Sequence, residues 1–285
     1  MSDRASAFVL KAASLELSSV GIQTARLDAE ILLAHVLKCD RLALFSRDIE
    51  LTDEQALDFK HCLTRRLRFE PVSYITGMQP FWSLDFKVNE HVLIPRPDTE
   101  TLIEAVLKQR PQKPALQILD LGTGSGCILL SLLAELGDAR GVGADMAGEA
   151  IKVAQENAVL NGLAERASFV QSDWFSNIKR PAAGFDIIVS NPPYIMSDDI
   201  AGLMPDVKDF EPKTALDGGM DGLGPYRVII LEATKFLSKG GLLAVEFGIG
   251  QAGDIAALFE QAGYFEITTY PDLNGIDRVI SGKNT

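Results

Sequence analysis

The spacing of apolar positions changes twice along the chain. Over residues 1–70 they recur at helical intervals, and almost no stretch alternates as a strand would. Phe59, Cys62, Leu63 and Leu67 fall on one helical face, and Thr52 with Gln55 forms a capping-box pair ahead of them. Between Arg26 and Leu37, the residues Leu27, Ile31 and Ala34 are expected on a shared face. These signals predict a small helical bundle. From Pro71 to Pro95 the runs become short and alternating, FWSLDFKV and then HVLI. Asn89-Glu90 between them predicts the turn of a β-hairpin, so residues 71–95 are expected to link two domains.

Beyond Pro114, strand-like and helix-like segments take turns. QILDL, RGVGAD, SFVQ and FDIIVS read as strands, with helices starting at Cys127 and spanning 147–160 up to Asn161-Gly162. A helix from Pro225 to Leu237 is expected to stop at Lys239-Gly240-Gly241. LLAVEF, a helix over 251–262, FEITTY and RVI follow. Such alternation predicts an α/β, doubly wound Rossmann-like domain over residues 96–285, its sheet mostly parallel and covered by helices on both faces. Ligands of such sheets lie at the carboxyl ends of the strands. The chemistry is therefore sought there.

At the first strand end stands Asp120-Leu-Gly-Thr-Gly-Ser-Gly126, where glycines let the backbone approach a ligand. Gly122, Thr123, Gly124, Ser125 and Gly126 are candidate cofactor contacts, although a tight strand-to-helix turn alone also asks for glycine. The pattern is GxGxG, with Cys127 where a nicotinamide fingerprint would carry its third glycine. Asp145 ends the second strand, placed to accept the hydroxyl hydrogens of a ribose or else to cap the next helix. After the third strand, Asp173-Trp174 offers a carboxylate for an adenine amino group and an indole to pack on it, or an ordinary loop beside a core tryptophan. The fourth strand runs into SNPPYI. Two prolines forbid a continued ladder, so Asn191-Pro192-Pro193-Tyr194 must be a stiff loop.

Composition narrows the partners. A formal charge of -12 opposes binding to a polyanion, and 10 Lys+Arg against 11 Asp+Glu in residues 1–75 leave most of the acidity to the rest of the chain. Arg65, Arg66 and Arg68 cluster at a helix end, as a solvated terminus or a docking patch. Cys39, Cys62 and Cys127 have neither pairing parity nor a zinc spacing, which fits a reducing compartment and no metal site. MSDRASAFVLKAAS lacks a leader pattern and no apolar run could span a membrane, so a cytoplasmic protein is expected.

The three strand ends together with Asn-Pro-Pro-Tyr resemble the S-adenosyl-L-methionine-dependent methyltransferases that act on planar nitrogen atoms, over Gln117 to Ile280. Gly-Ala-Asp145-Met is a slightly unusual form of the second-strand motif. The resemblance implies that the Asn191 side-chain oxygen and the Pro192 carbonyl accept hydrogen bonds from the substrate nitrogen. It also implies that Pro193 and Tyr194 bound the substrate slot, that Asn191 borders the cofactor, and that S-adenosyl-L-homocysteine is the product. Ile94-Pro-Arg-Pro-Asp-Thr-Glu100, Gly77-Met-Gln-Pro-Phe-Trp82, Glu211-Pro212 and DGGMDGLGPYR resemble the release factor glutamine-N5 methyltransferases more narrowly. That likeness implies N5-methylation of the glutamine in the Gly-Gly-Gln motif of class I peptide chain release factors, by a monomer whose helical domain docks the substrate.

Alternatives remain at this level. Adenine-N6 methyltransferases of DNA or RNA and a ribosomal-protein glutamine methyltransferase share Asn-Pro-Pro-Tyr. The first would need a basic stripe. A non-catalytic binder would be expected to carry a damaged Asn-Pro-Pro-Tyr, and a nicotinamide oxidoreductase a GxGxxG loop.

Overall fold

A computed structural model describes residues 4–46 and 48–285. The first three residues of the stretch read for a leader lie outside the described residues. The chain forms two compact units, Met1–Gly77 with Met204–Phe210, and Met78–Leu203 with Glu211–Thr285. No helix among the described residues is long and apolar enough to cross a membrane.

In the first unit the principal helices are Ser6–Ser19, Ala25–Leu37 and Asp53–Arg66. The Thr52 capping box forms as expected, with the Gln55 N–H donating to Thr52 Oγ1 at 3.2 Å and the Thr52 N–H to Gln55 Oε1 at 3.0 Å. Leu10, Leu17, Leu32, Leu33, Phe59 and Leu63 make its core. The face of the second helix is only in part the expected one. Ala34 is buried as expected, but Leu27 is exposed and Ile31 only partly covered, whereas Ala25, Ala29, Leu32 and Leu33 are buried. Small alanines allow neighbouring helices to approach closely, so they win the buried stripe from the larger Leu27.

Arg66 also departs from its expectation, being neither solvated nor available for docking. It is 6% exposed, and its Nε donates to Asp28 Oδ2 at 2.7 Å. Nη1 donates to the carbonyls of Phe69 and Glu70, each at 3.2 Å, and Nη2 lies 3.8 Å from Asp206. The guanidinium therefore ties the helix end to another helix and to the returning segment of its own unit. Val72–Thr76 is a short helix inside the stretch read as hairpin.

The second unit begins with β1 (Met78–Phe81) and β2 (Leu84–Lys87), an antiparallel pair. Their turn is Trp82-Ser83, not Asn89-Glu90, and HVLI is not a strand. Trp82 takes φ +55 there, a conformation that L-residues avoid without support. Glu100 Oε1 accepts its N–H at 2.9 Å and Glu135 Oε1 its indole N–H at 2.7 Å. Side chains distant in sequence hold a turn that its own residues do not announce.

The main sheet contains β3 (Gln117–Leu121), β4 (Arg140–Asp145), β5 (Ala167–Gln171), β6 (Phe185–Ser190), β7 (Leu237–Glu246), β8 (Phe265–Pro271) and β9 (Asp277–Lys283). Their order is β5-β4-β3-β6-β7-β9-β8, parallel from β5 to β7, with β9 antiparallel to both its neighbours. Near-continuous apolar burial in β6 is what a strand covered on both faces requires. Lys239-Gly240-Gly241 does not end a helix. The helix stops at Phe236 and β7 begins at Leu237, passing through these residues with Gly240 at φ +71 and an irregular register opposite Phe185. The order reverses beside β3, where the crevice of such a sheet opens.

Replacing Arg66 by alanine leaves Asp28 buried and unpaired, so the helical unit should lose about 3 to 5 kcal/mol. Asp28→Leu combined with Arg66→Met should recover most of that loss. Chemical denaturation followed by helical circular dichroism measures both, and an alanine variant of unchanged midpoint contradicts the assignment.

Candidate active site

A cavity of about 500 Å³ opens at the carboxyl ends of β3 to β6. Gly122, Thr123, Gly124, Ser125, Asp145, Asp173, Trp174, Asn191 and Pro193 all line it, so most of the residues singled out from sequence converge on one space. Gly126, Pro192 and Tyr194 do not. A Cβ on Gly126 would stand 3.3 Å from both Ala154 Cβ and Leu130 Cδ1, so this glycine packs the first helix against its surroundings. The Pro192 ring is buried and the Tyr194 ring packs into the core beneath the sheet end.

The glycine loop is held from below and from the side. Gly122 and Gly124 take φ +69 and +54, open to glycine at little cost. The Thr123 N–H donates to the Ala144 carbonyl at 2.9 Å and the Gly124 N–H to Asp145 Oδ2 at 2.9 Å. Asp145 Oδ1 accepts the Ala147 N–H at 2.9 Å. Asp145 thus braces both the loop and the start of the next helix while the carboxylate keeps some acceptor capacity. Burial raises its pKa, and these backbone donors pull it part of the way back. Asp120 sits fully buried under the loop, with Oδ2 accepting from Thr123 Oγ1 at 2.6 Å and Oδ1 without a hydrogen bond. Burial pushes its pKa up to about 7. Trp174, at φ +45, brings its ring within 3.9 Å of where a Gly122 Cβ would project.

The Asn-Pro-Pro-Tyr loop is fixed by residues the sequence reading left as bare motif. Asn191 Nδ2 donates to Thr99 Oγ1 at 3.2 Å, which ties the Ile94–Glu100 stretch to the end of β6. The Ile195 N–H donates to Leu216 O at 3.0 Å and the Gly218 N–H to Ile195 O at 2.8 Å. Gln251 Nε2 donates to the Tyr194 carbonyl at 3.1 Å. A Cβ on Gly218 would lie 2.8 Å from the Pro193 carbonyl, and one on Gly222 2.4 Å from the Tyr194 carbonyl. The glycines of DGGMDGLGPYR are therefore needed because a second backbone lies directly on the loop. Burial pushes the Tyr194 hydroxyl up to about 12, so it stays neutral.

Other residues at the site carried no separate signal. Arg96 lines the cavity and its Nη2 lies 2.6 Å from the buried carboxylate of Glu211. His91 and Lys213 also border the space. Glu246, the last residue of β7, is 2% exposed, with a pKa raised by burial to about 7. An acidic residue at the end of an apolar strand was the visible clue for both Asp120 and Glu246.

The two parts of the chain match known families. Residues 9–77 match the PrmC N-terminal domain, and residues 112–263 match a methyltransferase domain. The release factor glutamine methyltransferase of Rhodospirillum rubrum is 46% identical over 268 residues, covering 94% of this chain and 81% of that protein. That of Caulobacter vibrioides is 43% identical over 272 residues, covering 95% and 93%. Among solved structures, the hMettl16 catalytic domain in complex with MAT2A 3'UTR hairpin 6 gives a TM-score of 0.57 at 17% identity, over 83% of this chain and 84% of that chain. At that identity the likeness concerns the fold alone.

Two expectations follow from the site's packing. Gly218→Ala forces its methyl onto the Pro193 backbone, so stability should drop by about 1 to 3 kcal/mol; an unchanged melting temperature would show that the loop yields freely. The second concerns pH. Because the folded pKa of Glu246 lies above its unfolded value, the native state holds the extra proton, and stability falls as pH rises from about 4.5 toward about 7. Glu246→Gln lacks this titration, so the variant should gain on the wild type by about 2 kcal/mol between pH 5 and pH 7, at 1.36 kcal/mol per unit. Denaturant midpoints at the two pH values measure it.

Proposed function

The chain belongs to the release factor glutamine methyltransferase family, and from that premise we propose that it methylates the side-chain amide nitrogen of the Gly-Gly-Gln glutamine in class I peptide chain release factors. The methyl donor proposed is S-adenosyl-L-methionine. Its sulfonium supplies an electrophilic methyl group. The cavity suits such a donor in three respects: the loop at Gly122 and Gly124 leaves the backbone bare, Asp145 retains lone pairs for a ribose, and Trp174 offers an aromatic face near Asp173. The buried acid Asp120 beneath the loop and the carboxylates of Asp145 and Asp173 favour a cationic ligand over a pyrophosphate.

The observation that carries the reading is the anchoring of Asn191. Its Nδ2 lies 3.2 Å from Thr99 Oγ1, and in this orientation Oδ1 is the acceptor at the cavity wall. An amide nitrogen is a poor nucleophile because its lone pair is delocalised. As that lone pair localises for in-line attack, positive charge grows on nitrogen and its N–H bonds become stronger donors. Asn191 Oδ1 and the Pro192 carbonyl, held still by two prolines and the backbone packed on them, bind that state more tightly than the ground state. The surplus proton leaves to water after transfer. Tyr194, neutral and packed inward, shapes the slot and takes no part as acid or base.

The helical unit is proposed to dock the release factor, with residues 71–95 as the connection. Leu42, Phe45 and Leu57 are exposed on it and support that role, whereas the buried Arg66 does not. A formal charge of -12 supports a protein substrate over nucleic acid. The same enzyme is proposed to act as a monomer.

Incubation with isotopically labelled S-adenosyl-L-methionine and purified release factors, followed by peptide mapping, should place the label on the Gly-Gly-Gln glutamine; label elsewhere, or on nucleic acid instead, overturns the reading. Asn191→Ala should lower kcat by roughly 10- to 150-fold, the equivalent of about 1.5 to 3 kcal/mol, with donor affinity changed far less. Asp145→Ala should act the other way round. It should weaken donor binding by about 1 to 3 kcal/mol through lost ribose bonds and a loosened Gly124 N–H, as read by calorimetry.

A further inference from the structure

A carboxamide presents an oxygen and an amino group of nearly equal size, and a half-turn about its last bond exchanges acceptor for donor. The proposed chemistry needs the oxygen of Asn191 toward the substrate, because a donor there would face donors. The Thr99 hydroxyl, 3.2 Å from Nδ2, does not decide the matter alone. It could accept from Nδ2 or, after a flip, donate to Oδ1. Direction comes from a further acceptor that takes the hydroxyl proton or the amide's own N–H.

Glu246 is placed to be that group. Ser190 of β6 pairs with Val245 of β7, so Asn191 and Glu246 occupy adjoining positions one residue further along neighbouring strands. The carboxylate faces the Thr99 hydroxyl and the Asn191 amide, and its Oε2 is buried without a hydrogen-bond partner. Tyr226 Oη donates to the Glu246 carbonyl at 2.8 Å and fixes the backbone from which the side chain projects. Arg278, whose Nη2 and Nε lie 3.1 and 3.2 Å from Asp98 and Asp272, supplies positive charge on one side, while Asp98 supplies negative charge. Above a pKa raised to about 7 the carboxylate is ionised and only accepts. With the Thr99 proton directed to Glu246, the Thr99 oxygen can only receive, Nδ2 must point to it, and Oδ1 is left toward the cavity.

We propose that Thr99 and Glu246 form a buried relay that sets the Asn191 carboxamide in its acceptor-forward orientation, which makes both of them positioning residues for methyl transfer. This rests on the methyltransfer reading above and gives Thr99, within Ile-Pro-Arg-Pro-Asp-Thr-Glu, a task in the reaction. It also gives a reason to keep an acid where burial disfavours its charge.

The test compares Thr99→Val, which removes the hydroxyl at constant shape, with Thr99→Ser, which keeps it, and with Glu246→Gln, whose amide can donate to the hydroxyl. Single-turnover transfer to release factor is measured at saturating donor and at a pH of about 8 or above, where Glu246 is ionised, beside donor affinity and melting temperature. Thr99→Val and Glu246→Gln should each slow transfer by about tenfold or more with donor affinity within about twofold, and Thr99→Ser should stay within about threefold of wild type. A valine variant as fast as wild type, a serine variant as slow as valine, or rate losses matched by equal losses of donor affinity overturn the relay. Should valine prevent folding, the serine and glutamine variants still decide, since serine must be active and glutamine slow. A wild-type enzyme that labels no release factor glutamine overturns the substrate reading instead.

Discussion

Pro192 and Pro193 bring no backbone donor to the stretch that leaves β6, so that stretch cannot be secured by a ladder of its own. It is secured from outside. Gly218 and Gly222 lay a second backbone against the carbonyls of Pro193 and Tyr194, at approaches that no Cβ would permit. Gln251 holds the Tyr194 carbonyl, and the Tyr194 ring fits against Gly248, where a Cβ would come within 2.9 Å of it. The position of Asn191 depends on this clamp. So does the position of the Pro192 carbonyl, the other acceptor proposed for the reacting nitrogen.

Charge around the cavity follows a related logic. Asp120 and Glu246 are buried acids at the ends of adjacent regions of the sheet, both with pKa values lifted to about 7 by desolvation. Their retention makes sense where a cationic donor and a nitrogen gaining positive charge must be accommodated. The same burial silences groups that could compete. It pushes the Cys127 thiol beside the glycine loop up to about 12, so that thiol stays protonated beside the place proposed for the donor.

Much of this was legible because it is local. The strands QILDL, RGVGAD and FDIIVS and the capping box at Thr52 lie where their own residues put them. What failed was decided at a distance. Trp82 turns the hairpin because Glu100 and Glu135, 18 and 53 residues away, hold its two N–H groups. Arg66 is buried because Asp28 lies 38 residues earlier on a facing helix. Thr99 reaches Asn191 across 92 positions, and no periodicity reports such a pairing. The site was likewise readable as a set of strand ends, but not as a set of contacts. Gly126 and the rings of Pro192 and Tyr194 belong to the motifs yet do not line the cavity, since a motif also records what packs behind the site.

A sheet of this kind does not by itself choose a substrate. In the reading proposed above, the glycine loop serves the donor and Asn-Pro-Pro-Tyr the planar nitrogen. Discrimination has to come from chain outside the sheet. Two stretches meet that description, residues 91–99 and 211–225, and both contribute walls of the cavity. Arg96 from one is held by Glu211 from the other, so the two walls are joined by a charged hydrogen bond at 2.6 Å. They also carry the parts on which Asn191 rests, Thr99 from the first and Gly218 and Gly222 from the second. The walls of the cavity and the support of Asn191 are thereby vested in the same residues, and a change that widened the space would also loosen the acceptor proposed there.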